Sequence, residues 1–122
     1  MNAKVLLFMK NPVPGKVKSR LAKDIGEEKA TLMYKEILTH CISESIKSGF
    51  ELLLYSNEDP SDFTTKAYPG LNYKLQKGNH IGEKMSLAFK EECNNKCAIL
   101  LVGSDIPGIN AMLLNKAMDE LN

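Results

Sequence analysis

The sequence of 122 residues is short of most features that announce a function class. Its charge is nearly balanced, 16 Lys and Arg against 15 Asp and Glu, a net +1. That offers no overall field for nucleic acid or an anionic membrane surface, so any positive site is local. No apolar run approaches the roughly 18 residues of a membrane span. Strand-like "KVLLFM" begins almost at once, where a signal peptide's charged flank and cleavage site would stand. Cysteine is scarce: Cys41, Cys93 and Cys97 are odd in number and form no CxxC pair. This is the usage of reduced thiols in a cytoplasmic protein, read here as small buried apolar side chains. His40 and His80 lack ligand-spaced partners, which argues against zinc. Repeats and low-complexity linkers are absent, as are the GxxxxGK[ST] of a P-loop and the GxGxxG of a dinucleotide fold.

What is present describes one ordinary globular domain, 1–122, with 43% hydrophobic and 25% charged residues. Residues 4–9 form a nearly continuous apolar run, as in a strand covered on both faces. Glu27 to Ser48 is amphipathic, with Ala30, Met33, Tyr34, Ile37, Leu38, Cys41, Ile42 and Ile46 on one helical face and Gly49 as the stop. Strands are expected at 50–56, 71–76 and 97–103. Helices are expected from Asp59–Pro60, from about Ile81 with Met85, Ala88, Phe89 and Cys93 inward, and after an Asn110 cap with Leu113, Leu114, Ala117, Met118 and Leu121 inward. The order βαβαβαβα predicts right-handed crossovers and a parallel, helix-covered sheet. Ligands of such sheets bind beyond the carboxyl ends of the strands, which directs attention to three loops.

The first, "KNPVPGKVKSRL", is stiffened by Pro12 and Pro14, turns at Gly15, and clusters Lys16, Lys18 and Arg20. It reads either as a solvated turn or as an anion site, with Arg20 supplying a planar fork and the lysines point charges. The second, "GSDIPG", puts Asp105 two residues beyond the most apolar strand. There it either holds Mg²⁺ or Mn²⁺, or caps a turn with Ser104. The third, "QKGNHIGEKM", joins Gln76, which could read a base edge, to a helix start with Gly78 and Gly82. His80 there reads as a surface residue.

In that order the segments "FMKNPVPGKVKSRLA", "LQKGNHIGEKMSLAF" and "LLVGSDIPGI" resemble a family of small bacterial and archaeal proteins. The family has a glycosyltransferase-A-like, nucleotide-diphospho-sugar transferase fold and was long known as a domain of unknown function, DUF2064. Its first motif, Lys-x-Pro-x-Pro-Gly-x-x-Lys-[Thr/Ser]-Arg-Leu, is filled by Lys10, Pro12, Pro14, Gly15, Lys18, Ser19, Arg20 and Leu21. The second, Gln-x-x-Gly-[Asp/Asn]-Leu-Gly-Glu-[Arg/Lys]-Met, is close to Gln76–Met85, with Gly78 and Asn79 one position early and Ile81 for leucine. Gly103 to Gly108 match Gly-Ser-Asp-x-Pro-Gly fully.

The resemblance implies a three-layer α/β/α sandwich with a mostly parallel sheet. It implies that Lys10, Gly15, Lys18 and Arg20 hold nucleotide phosphates, that Gln76, Gly78, Gly82 and Glu83 approach base or sugar, and that Asp105 binds Mg²⁺ or Mn²⁺. The implied activity is glycosyl transfer from a nucleotide-diphospho-sugar, with nucleotidyl transfer on the same fold as the alternative. In both, a metal and basic side chains neutralise a departing phosphate; the residues name no general base. The family usually runs to about two hundred residues and carries a later Asp-Gly-Gly-Tyr segment on the acceptor side. Without it, the chain is expected to be a fragment, a truncated gene product, or a subunit that completes its sheet by dimerising, and a non-catalytic nucleotide-binding or assembly remnant is the alternative to a transferase. In a 3-2-1-4 order the apolar strand 97–103 would lie at the sheet edge, where unpaired backbone invites a second chain.

Overall fold

Alternating apolar and amphipathic segments build a parallel sheet with helices on both faces. The structure is a computed structural model and describes residues 2–58, 66–68, 70–93, 97–103 and 110–121. The strands are β1 (Asn2–Met9), β2 (Glu51–Ser56), β3 (Asn72–Leu75) and β4 (Cys97–Gly103). All pair in parallel, in the order β3-β2-β1-β4, with Leu6 opposite Leu53 on one side and Leu101 on the other. β1, flanked on both sides, is buried from Val5 to Met9; a strand covered in this way needs the continuous apolar run it has. β4 lies at the edge, as the order 3-2-1-4 requires.

Alternation along β1 divides the core. Val5, Leu7 and Met9 face α2 (Glu27–Lys47) and the last helix, α4 (Ala111–Leu121), packing with Tyr34, Leu38, Ile42, Leu114 and Met118. Leu6 and Phe8 face α3 (Ile81–Glu92) in a smaller cluster with Leu53, Tyr55, Ala88 and Ile99. Phe8 and Tyr55 stack there at 5.4 Å between ring centroids. The α2–α4 contact is pinned at its polar end. Ala111 N donates to Glu44 Oε1 at 3.1 Å and Leu113 N to the Asn110 cap at 2.8 Å. The Lys47 ammonium, 3.0 Å away, and the Ala111 amide hold the Glu44 carboxyl below its ordinary range.

Three expectations about faces need correction. On α2, Met33 and Ile46 are exposed, while Thr31 and Ser45 are buried. Their hydroxyls donate back to Glu27 O and Cys41 O, both at 2.7 Å, so they enter the core without an orphaned polar group. On α3 the inward residues are Ala88 and, unexpectedly, Glu92; Ile81, Met85 and Phe89 are largely exposed, and Cys93 is exposed rather than buried. The last helix buries Leu114 and Met118 and leaves Leu113 out.

A short helix, α1 (Ser19–Ile25), fills what the sequence reads as loop. Its seven residues are too few for a clear apolar period, and the N-cap, Lys18, makes no side-chain bond that would announce it. The expected helix start at Asp59–Pro60 lies outside the described residues.

Glu92 explains the rotation of α3. Its carboxylate accepts from Lys4 Nζ (3.2 Å, β1), Tyr55 Oη (2.9 Å, β2) and Lys74 Nζ (β3), tying the helix to three strands. Burial pushes its pKa up, but hydrogen bonds from Lys74, Tyr55 and Lys4 together outweigh burial and hold it below the ordinary 4.5. Burial first, and then the bond to this carboxylate, push the Tyr55 phenol far up. Lys4 shares the inward face with Leu6 and Phe8, which is the position an unpaired lysine could not occupy.

Candidate functional site

A cleft of about 330 Å³ opens at the carboxyl ends of the strands, where parallel sheets place ligands. Its walls come from β1 and the residue after it (Phe8, Met9, Lys10), the opening loop (Val17, Lys18), α2 (Tyr34), Gln76, the first turns of α3 (Ile81, Met85) and the end of β4 (Gly103). Apolar walls thus carry two lysines and one amide, the composition of a small-ligand site with few polar groups. No carboxylate or imidazole stands among these described lining residues.

The opening loop is held in place from both sides. Lys10 N donates to Tyr34 Oη at 2.8 Å, and Asn11 N to Asn57 Oδ1 at 3.4 Å. Lys16 N closes a turn onto Val13 O at 3.0 Å, and buried Val17 anchors the following residue. Gly15 has φ +85°, a conformation that favours glycine, and a Cβ there would stand 3.3 Å from the exposed Glu27 carboxylate, which can move aside. Lys18 has φ 52° and ψ 45°, a left-handed conformation that a lysine rarely adopts and that functional sites tolerate.

The structure brings Lys10, Lys18 and Gln76 together in the cleft. Arg20 and Gly15 lie outside its lining: Arg20 is exposed on α1, and Gly15 borders a separate hollow beside that helix. Lys16 pairs instead with Glu58 at 3.4 Å on the surface.

Gln76 is oriented by the sheet. Its Nε2 donates to Met9 O at 3.1 Å and Tyr55 O at 2.8 Å, joining the ends of β1 and β2. Carbonyls only accept, so the amide nitrogen must point at them. Both donor positions are therefore used, and the group left for a ligand is the acceptor Oε1.

Gly78, Glu83 and Gly82 form the start of α3. His80, its N-cap, accepts from Glu83 N through Nδ1 at 3.3 Å, and Glu83 Oε1 accepts from Asn79 N at 3.0 Å, a reciprocal pair like a capping box. A Cβ on Gly78 (φ +122°) would stand 3.1 Å from Lys84 N, and one on Gly82 3.4 Å from the His80 ring. Asp105 lies outside the described residues, two positions past Gly103 in the sequence. Among the described residues there is no cluster of three or more His, Cys, Asp or Glu fit to hold a metal. Nor is any described helix long and apolar enough to cross a membrane.

Sequence reasoning placed Tyr34 in the core and missed that its hydroxyl holds the strand end at the cleft. A tyrosine amid aliphatic residues on a buried face is the available signal, because its hydroxyl must find a partner. Ile81 and Met85, expected on the inward face of α3, line the cleft instead.

The architecture matches a crystal structure from Desulfovibrio desulfuricans G20 of a protein whose name marks it as a candidate nucleotide-diphospho-sugar transferase. The TM-score is 0.86 and the identity 28%, over 98% of this chain and 55% of the other. The chain thus spans about half the length of that relative. No curated protein matches it. Residues 44–122 match the profile of a family described as "Uncharacterized protein conserved in bacteria"; with well over half of its length matched, the chain belongs to that family, DUF2064.

Proposed function

We propose that the cleft binds the diphosphate of a nucleotide or nucleotide-sugar, and that the protein serves glycosyl transfer from such a donor. The observation that carries this reading is the convergence of Lys10 and Lys18 at the carboxyl end of β1, beside an amide and an apolar wall. Two lysines on the walls of a partly enclosed site can offset the charge of a diphosphate, and stabilise a departing phosphate in transfer chemistry. Phe8, Ile81 and Met85 offer a flat ring an apolar seat, and Gln76 Oε1 selects a hydrogen-bond donor on its edge. The transferase name of the 28%-identical relative supports the reaction class.

Mg²⁺ or Mn²⁺ belongs to the same proposal. Asp105 supplies the hard oxygen such an ion prefers, and the ion when bound neutralises diphosphate charge. The described residues provide no ligand set of their own, so the roles assigned to Lys10, Lys18 and Gln76 do not depend on it. Since the described lining carries no general base, donor binding is the function this chain's own residues support. Nucleotidyl transfer, and nucleotide binding without turnover, are the alternative readings of the same site. A homodimer through the edge of β4 is a further part of the reading, checked by light scattering.

A thermal-shift titration with UDP, GDP, CDP, ADP and dTDP, with and without Mn²⁺, tests the proposal. A ligand specific to the folded state raises its stability with the logarithm of concentration over Kd. We expect one nucleotide to raise Tm, and to raise it further with Mn²⁺; equal Tm in every condition would contradict the assignment.

A further inference from the structure

Of the twelve residues of α3, only Ala88 and Glu92 are buried. An alanine packs about equally well over a range of rotations, so apolar contact alone sets the helix loosely. The Glu92 carboxylate sets it tightly, because it takes donors from three strands at once: Lys4, Tyr55 and Lys74. Any turn or slide of α3 would leave a buried charge short of partners. Met85 and Ile81 lie seven and eleven residues earlier, about two and three turns along the same side of the helix. The angle fixed at Glu92 is therefore the angle at which both enter the cleft.

Tyr55 carries the same constraint by a second route. Its hydroxyl donates to Glu92 at 2.9 Å, its ring stacks on Phe8, and its carbonyl accepts from Gln76 Nε2 at 2.8 Å. Phe8 and Gln76 both line the cleft. We propose that Glu92 and Tyr55, neither of which lines the cleft, are positioning residues that set where Ile81, Met85, Phe8 and Gln76 stand in it. Stability is a weak reason to keep such a cluster, since well-packed apolar residues in place of a buried ion pair are often as stable. A fixed arrangement of the cleft wall is what the cluster adds. Its effect on ligand affinity rests on the nucleotide reading of the cleft; its effect on the wall does not.

Tyr55→Phe and Tyr73→Phe make the test. Glu92→Gln puts the fold itself at risk, whereas each of these removes a single phenol hydroxyl from the sheet. Tyr73 packs on the opposite face and donates to Tyr68 O at 3.2 Å. Methyl NMR of the nucleotide-free chain should show the Ile81 and Met85 signals displaced in Tyr55→Phe and unmoved in Tyr73→Phe. UDP, GDP, CDP, ADP and dTDP, each with Mn²⁺, are then titrated at a temperature where both variants are fully folded. The nucleotide that binds the parent should bind Tyr55→Phe about tenfold more weakly, the lower end of the loss when a group orienting a ligating residue is removed. Tyr73→Phe should bind it as tightly as the parent. Ile81 and Met85 signals that stay in place in Tyr55→Phe, or that move equally in both variants, overturn the positioning role. So does unchanged affinity of Tyr55→Phe. If none of the five binds the parent, the nucleotide reading falls, and the methyl comparison alone decides the role of Glu92 and Tyr55.

Discussion

The main-chain nitrogen of Lys10 donates to the hydroxyl of Tyr34 at 2.8 Å, fixing the end of β1 against α2 at the mouth of the cleft. Tyr34→Phe removes that acceptor and leaves the apolar packing. A net cost of about 1 kcal/mol is expected in urea unfolding, the usual contribution of one such bond. Nucleotide affinity should fall severalfold as the strand end loosens. Unchanged stability would mean that water replaces the hydroxyl without loss.

Lys18 separates stability from function. A left-handed residue with a Cβ costs roughly 1 kcal/mol relative to glycine, so Lys18→Gly should fold as stably as the parent or up to about 1 kcal/mol more stably. It also removes one of the two cleft ammonium groups, and nucleotide affinity should drop about tenfold or more. Thermal melts with and without nucleotide measure both effects on one sample.

Glu92 makes acid stability testable. Its carboxyl titrates below the ordinary 4.5 in the folded protein, so between the folded and unfolded values the unfolded chain binds more protons. The stabilisation is complete above the unfolded value and is lost as pH falls through the folded one. Glu92→Gln should cost on the order of 3 kcal/mol at pH 7, the lower end for one broken partner of a buried ion pair. Its stability should also fall less than the parent's between pH 5 and 3. Parallel curves for parent and variant would remove Glu92 from the acid response.

Gln76→Glu places a carboxylate where the amide donates to Met9 O and Tyr55 O. Replacing two donors by an acceptor facing two carbonyls should destabilise the protein by about 2 kcal/mol at neutral pH. Gln76→Met, which presents no charge to the carbonyls, should cost less. The reverse ranking would show that the amide does not hold the strand ends.

Much of the fold was legible because periodicity follows burial. The unbroken run Val5–Met9 announced a central strand, Gly49 marked the end of α2 with φ +84°, and Asn110 capped α4 as its side chain suggested. Glu92 was not legible, since a glutamate on a helix reads as solvated unless its partners are known. Those partners, Lys4, Tyr55 and Lys74, come from three strands far apart in sequence. At the site, motif order marked the loops, and the structure gathered Lys10, Lys18 and Gln76 from two of them. The separation of Arg20 from Lys18 could not be read in advance, because it depends on a left-handed lysine and a seven-residue helix, neither of which has a strong local signature. The Asp105 loop lies outside the described residues.

Methyl NMR of the protein titrated with the same five nucleoside diphosphates addresses the central claim most directly. If the cleft holds the nucleotide, the methyl signals of Met9, Ile81 and Met85 shift with one of them and saturate together, while exposed Met112 and Leu113 on α4 stay fixed. Cleft methyls that remain in place for all five at millimolar concentration, or shifts confined to α4, would contradict it.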